Sequence, residues 1–300
     1  MFNPSHPERL SQWGGDPFQL ADESAYQRWR ETKLDSYPTD AADLMVEVAD
    51  ALALTLAERA KILAHCSKSN MVLFHDQKKS LRNRKNFRSF ATEFGLTNLS
   101  AHMLADQDGI ATITPTPQRQ IRGEYIPYTT RPLNWHTDGY YGDRPIKGFA
   151  LYCLQAASEG GVSNMIDPEI VYIRLRDQSP DHIAAFSRPD AMTIPANVRD
   201  GVELRGENRG PVFSTDPETR QLNMRYTART VSINWPDDAE MTAARQALDD
   251  ILTSTNVFEF SLRAGDGILC NNVLHKRSAF SDPDRRLYRG RFLDRITDEE

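Results

Sequence analysis

Three hundred residues, 39% of them apolar and 26% charged, suit a globular chain of one large domain or two small ones. A net charge of −6 argues against a nucleic-acid binder, and the longest apolar runs, such as IKGFALYCL, are far too short to span a bilayer. The opening MFNPSHPERLSQWGG lacks the basic start and apolar core of a secretory signal. Cys66, Cys153 and Cys270 form neither a disulfide framework nor a C-x-x-C pair, so a reducing, cytoplasmic setting is expected.

In chain order, helical periodicity runs over residues 22–35 and over 54–68 (LTLAERAKILAHCSK), which leads on into a short strand, NMVLFHD. KKSLRNRK (78–85) reads as a solvated basic face. The next helix, NRKNFRSFATEFG, ends at a glycine. From about residue 110 the texture turns to short β-rich runs split by Pro, Gly and Asp: ATITP, GFALYCL, SNMID, AMTIP, PVFST, QLNMRYT, FEFSL, GILCNNVLH and LYRGRFLD. Helical inserts interrupt them around 168–187 and 237–254, while GVELRGENRG and STDPETRQ read as loops. The expected architecture is mainly β, a sandwich with helical buttresses. It forms a single domain over residues 1–300, with an N-terminal extension to about residue 39 and a core over 40–295.

LNWHTDGYYG carries a histidine and an aspartate two residues apart. On a strand, Asn134, His136 and Asp138 share one face, setting an imidazole beside a carboxylate. Alone, an H-x-D triplet is weak. A third ligand is offered by GDGILCNNVLHKRSAF, where a Gly-Asp-Gly turn opens a strand that ends at His275. Two histidines and one carboxylate make the facial set of non-haem Fe(II) oxygenases, which leaves three coordination positions open. Downstream, DPDRRLYRGRFLD holds four arginines. Alternation groups Arg286, Tyr288, Gly290 and Phe292 on one face, and Arg285, Arg289 and Arg291 on the other. The face with one arginine among aromatics is expected to line the pocket, with Arg286 as a bidentate carboxylate fork.

WHTD, then EGGVSNMID, then GDGILCNNVLH with an arginine eleven residues past the histidine, resembles the TauD/TfdA family of 2-oxoglutarate-dependent Fe(II) dioxygenases. The resemblance covers roughly residues 40–295 and implies a double-stranded β-helix, or jelly roll. It further implies that His136, Asp138 and His275 bind Fe(II), with 2-oxoglutarate and O2 as cosubstrates. Arg286 and Ser163, the latter twenty-seven residues after the first ligand, would hold the far carboxylate. The outcome is hydroxylation of a C–H bond in a small molecule, with release of succinate and CO2. No nucleic-acid or membrane partner is expected, and related enzymes are often homo-oligomers.

Taurine-type members carry a second arginine four residues beyond the first, to grip a sulfonate or carboxylate; here that place is Gly290. YTTRPLNWHTD and RLYRGRFLD look nearer to γ-butyrobetaine hydroxylase-like members, whose pocket encloses a trimethylammonium group in rings. Tyr125, Tyr128, Trp135, Tyr140, Tyr141, Tyr226 and Tyr288 would make the mouth aromatic, with Tyr140 and Tyr141 best placed. Asn134 and Arg225 are further substrate candidates. Arg225 and Arg229 share a strand face and suit an anionic end, or plain surface charge. Asn271 and Asn272 serve either ligand orientation or local backbone. Rival readings are a catalytically silent small-molecule-binding sandwich, a taurine/sulfonate-type dioxygenase, and a zinc hydrolase, which would need neither the arginine nor the Gly-Gly-Ser segment.

Overall fold

The computed structural model describes residues 12–100, 108–115, 126–199, 201–253 and 257–298. In chain order its elements are α1 (Glu23–Leu34), β1 (Met45–Val48), α2 (Leu56–Ser69), β2 (Met71–Asp76), α3 (Arg84–Thr92), β3 (Ala111–Ile113), β4 (Leu133–His136), β5 (Gly148–Gln155) and β6 (Ser163–Ile166). There follow α4 (Pro168–Gln178), α5 (Pro180–Phe186), β7 (Met192–Ile194), β8 (Asn197–Arg199), β9 (Val202–Arg205), β10 (Asn208–Gly210), β11 (Phe213–Thr215), β12 (Leu222–Met224) and α6 (Ala239–Thr253). The chain closes with β13 (Phe258–Phe260), β14 (Asp266–Cys270), β15 (Leu274–Arg277) and β16 (Arg286–Phe292).

Two compact units emerge. The first comprises Met1–Tyr37, Trp135–Asp143 and Ile166–Val257. Its centre is aromatic: Trp29, Tyr26, Phe18 and Phe213 all meet the ring of Tyr172 on α4. Residues before 39, expected as an extension, thus supply core side chains. Asp167 caps α4 by accepting from Glu169 N–H at 2.9 Å, and Pro168 sits at the first turn, where no N–H is needed. Lys33 of α1 reaches the same carboxylate at 2.7 Å.

The second unit comprises Pro38–Asn134, Arg144–Met165 and Phe258–Glu300. It holds a six-stranded sheet in the order β1-β2-β14-β5-β16-β3, in which β1 runs parallel to β2 and the other pairs are antiparallel. α2 begins in a capping box, Thr55 with Glu58, and ends at Asn70 in the left-handed region. GFALYCL reads as a continuous apolar run because β5 is buried on both faces. One face (Ala150, Tyr152) joins Phe74, Phe87, Phe90 and Phe292 in the main core. The other carries Cys153 and Leu151, packed with Leu287, Ile113 and Tyr128. A four-stranded sheet has the order β13-β6-β15-β4.

The expected helices and most expected strands form. GVELRGENRG, expected as a loop, instead supplies β9 and β10. No helix among the described residues is long and apolar enough to cross a membrane.

Candidate metal centre

β4 ends at His136, whose backbone bridges Thr227 in antiparallel fashion. The chain is held just beyond: Thr137 N–H donates to the Tyr226 carbonyl at 3.0 Å, and Tyr226 N–H donates to the Thr137 hydroxyl at 3.1 Å. Gly139, with φ of 73°, then lets the chain turn sharply away. His136 and Asp138 are both only 6% exposed, and His136 Nε2 stands 4.0 Å from Asp138 Oδ1.

β15 follows the left-handed turn at Asn272, whose amide donates to the Ile146 carbonyl at 2.6 Å. Asn271 donates to the Asn70 side-chain carbonyl at 3.1 Å, so both asparagines bond local structure. His275 packs its ring on Phe149, centroids 4.9 Å apart, and Nδ1 donates to the Val273 carbonyl at 2.9 Å. That bond fixes the tautomer and leaves Nε2 as the lone-pair donor.

One ligand atom from each of His136, Asp138 and His275 lies within 4.8 Å of the other two. Bonds of about 2.1 Å set adjacent donors of an octahedral ion about 3 Å apart, so the three groups need only draw in slightly around one ion. Two imidazoles and a carboxylate, two of the three nearly buried, fit Fe(II) and leave further positions for cosubstrates.

The arginines fall opposite to expectation. Arg286 is exposed, while Arg285, Arg289 and Arg291 are 7%, 8% and 5% exposed. Alternation grouped the residues correctly but exchanged the two faces. Tyr288 and Phe292 pack into the main core, and Tyr288 hydroxyl donates to the Arg82 carbonyl at 3.0 Å. Leu287, Arg289 and Arg291 pair with Cys153, Leu151 and Phe149, the face that carries the His275 contact. The register with β5 slips between Arg286 and Leu287, where Leu154 is the extra residue on β5, so the alternation of β16 itself is kept. Gly290 is a packing glycine: a Cβ there would stand 2.8 Å from the Phe292 ring.

Arg285 lies over the ring of Phe280, 4.9 Å from its centroid, and Arg277 lies over the same ring at 4.6 Å. Burial pushes both guanidinium pKa values down, and the Arg285 charge depresses that of Arg277 further. Arginine gives up its proton very reluctantly, so both stay cationic, and Arg277 donates to the Thr129 carbonyl at 3.2 Å and to the Arg131 carbonyl at 2.5 Å. Ser163 is close by. Gly160 bridges Phe280, and Ser278 N–H donates to the Val162 carbonyl, a register that sets Ser163 opposite Arg277 across β6 and β15. The Gly160–Gly161 turn is obligatory here: both have positive φ, and a Cβ on Gly160 would lie 2.2 Å from the Ala279 carbonyl. Arg277 was missed from sequence, although it sits two residues past His275 on the same strand face.

Among the substrate candidates, Tyr140 meets His136 edge-on at 6.4 Å and Tyr141 at 5.1 Å. Asn134 is exposed, and Trp135 is buried on the face of β4 opposite His136. Arg225 cannot serve a substrate. Its guanidinium donates to the carbonyls of Tyr140, Met192, Gly210 and Asn208, clamping the loop after Asp138. Tyr128 and Tyr226 are core residues, and Tyr125 lies outside the described residues.

The family model described as "Taurine catabolism dioxygenase TauD, TfdA family" matches residues 34–291. A uridine-5'-phosphate dioxygenase of an Amycolatopsis species is 30% identical over 174 residues, which are 55% of this chain and 62% of that one. The fold is similar to that of AAD-2 in complex with Mn(II) and N-oxalylglycine, with a TM-score of 0.60, 16% identity, and coverage of 85% of this chain and 96% of the other. It is also similar to asparagine oxygenase in complex with Fe(II), 2S,3S-3-hydroxyasparagine and succinate, with a TM-score of 0.57, 16% identity, and coverage of 94% and 87%.

Proposed function

Because the chain belongs to the taurine catabolism dioxygenase TauD, TfdA family, we propose that it hydroxylates a C–H bond of a small polar molecule on a double-stranded β-helix frame. It is a 2-oxoglutarate-dependent non-haem Fe(II) dioxygenase, releasing succinate and CO2. The observation that carries this reading is the convergence of His136, Asp138 and His275 within 4.8 Å. A silent binding sandwich has no use for that donor set. Iron held there supplies the dioxygen chemistry, and the chain supplies position and shielding. Phe149 and the Val273 carbonyl hold the His275 ring, and with Nδ1 so engaged Nε2 is the atom that would bind the metal.

The far carboxylate of 2-oxoglutarate belongs at Arg285, with Ser163 beside it, rather than at Arg286. Burial of Arg285 with no carboxylate partner among the described residues supports this assignment, because a buried guanidinium is costly unless an anion reaches it. The family's second arginine, four residues further on, then falls on Arg289 instead of Gly290. That change weakens the expected trimethylammonium-like head, which now rests only on Tyr140 and Tyr141, and it favours an anionic substrate as the second reading. A sulfonate, a carboxylate or a phosphorylated nucleoside like the Amycolatopsis enzyme's uridine 5'-phosphate all fall in that class. The buried thiols of Cys66, Cys153 and Cys270 fit a reducing cytoplasm.

The test is succinate formation from 2-oxoglutarate under air with added Fe(II). Slow uncoupled release is expected from the wild type and none above background from His275→Ala. Equal release by both proteins overturns the assignment.

A further inference from the structure

Three arginines, Arg205, Arg225 and Arg229, surround the loop that follows Asp138. Arg205 donates to the Tyr141 and Pro195 carbonyls, and Arg225 is occupied by four carbonyls. Arg229 differs. Its guanidinium makes one hydrogen bond, from Nη1 to the Tyr140 hydroxyl at 3.3 Å, and no carboxylate among the described residues lies within ion-pair distance of it. A guanidinium has five N–H donors, so most of its capacity stays unused in a half-buried position.

Its location is fixed by the metal strand. Thr227 bridges His136, and Ala228 N–H donates to the Trp135 carbonyl at 2.7 Å, so Arg229 follows directly from a segment paired with β4. Tyr140 is equally constrained, because Arg225 Nε holds its carbonyl at 2.8 Å and its ring edges that of His136. The Tyr140 hydroxyl and the Arg229 guanidinium thus meet on a tyrosine whose ring edges that of His136.

We infer that Arg229 and the Tyr140 hydroxyl form an oxyanion-binding subsite, which fixes a sulfonate, phosphate or carboxylate end of the substrate next to the metal centre. This rests on the dioxygenase reading for its purpose but not for its test. Arg229 is thereby a specificity-determining residue, and the substrate class is anionic.

The test uses the full chain without metal, with its tyrosines replaced by 3-fluorotyrosine. Tyr140→Phe identifies the Tyr140 fluorine resonance, and the other tyrosine resonances report that each variant is folded. Sulfate and acetate are titrated separately. A saturable shift of the Tyr140 resonance with at least one of them is expected. In Arg229→Gln the apparent affinity should fall about tenfold or more, as for a charge-assisted hydrogen bond, with partial recovery in Arg229→Lys. No shift with either anion, or an unchanged affinity in Arg229→Gln, overturns the inference. Because metal and 2-oxoglutarate are left out, failure of the dioxygenase reading appears only in the succinate assay and stays distinguishable.

Discussion

His275 uses its two ring nitrogens differently. Nδ1 is committed to the Val273 carbonyl, which orients Nε2 before any metal arrives. Arg285 is held in a similar way, over the Phe280 ring and against the Gly160–Gly161 turn. Under the proposed assignment of the 2-oxoglutarate carboxylate to Arg285, Arg285→Ala should cost about 2–5 kcal/mol, roughly 30-fold to several thousand-fold in cosubstrate affinity. Arg286, which is exposed, should cost under about 1 kcal/mol. Titrating 2-oxoglutarate into Arg285→Ala and Arg286→Ala separates the two, and the reverse ranking would return the anchor to Arg286. The triad was legible in the sequence because H-x-D spacing and a strand ending in histidine are local signals. The proposed anchor was not, because alternation sorts β16 into two faces without revealing which of them meets the main core.

Elements deliver these residues, and their junctions carry the cost of an error. Gly160 keeps β6 against β15 in a conformation with φ of 74° that other residues adopt only under strain. Gly160→Ala should therefore lose about 2 kcal/mol or more of stability in urea titration, and also weaken 2-oxoglutarate binding through Ser163. A loss confined to stability would detach Ser163 from the cosubstrate. In the other unit, Lys33 of α1 meets both Asp167 and Glu169 at the start of α4. Lys33→Met strands the buried Asp167 carboxylate, and a loss of about 3–5 kcal/mol in chemical denaturation is expected. A loss under about 1 kcal/mol would mean that the carboxylate finds water or a proton at little cost. Helices were legible from period and caps, as Thr55 with Glu58 shows. VELR was not legible as a strand, because Val202, Glu203 and Leu204 are all exposed and no buried face imposes alternation.

At the scale of the whole molecule, the family match over residues 34–291 draws on segments of both compact units. Both units contribute to the proposed Fe(II) site, with His136, Asp138 and His275 as ligands and 2-oxoglutarate as cosubstrate. An anaerobic titration of Fe(II) and 2-oxoglutarate, followed in the visible spectrum, tests it most directly. The wild type should develop a weak metal-to-ligand charge-transfer band that saturates at one iron per chain, and His275→Ala should develop none. A full band in His275→Ala, or no band in the wild type at saturating iron and cosubstrate, would contradict the account.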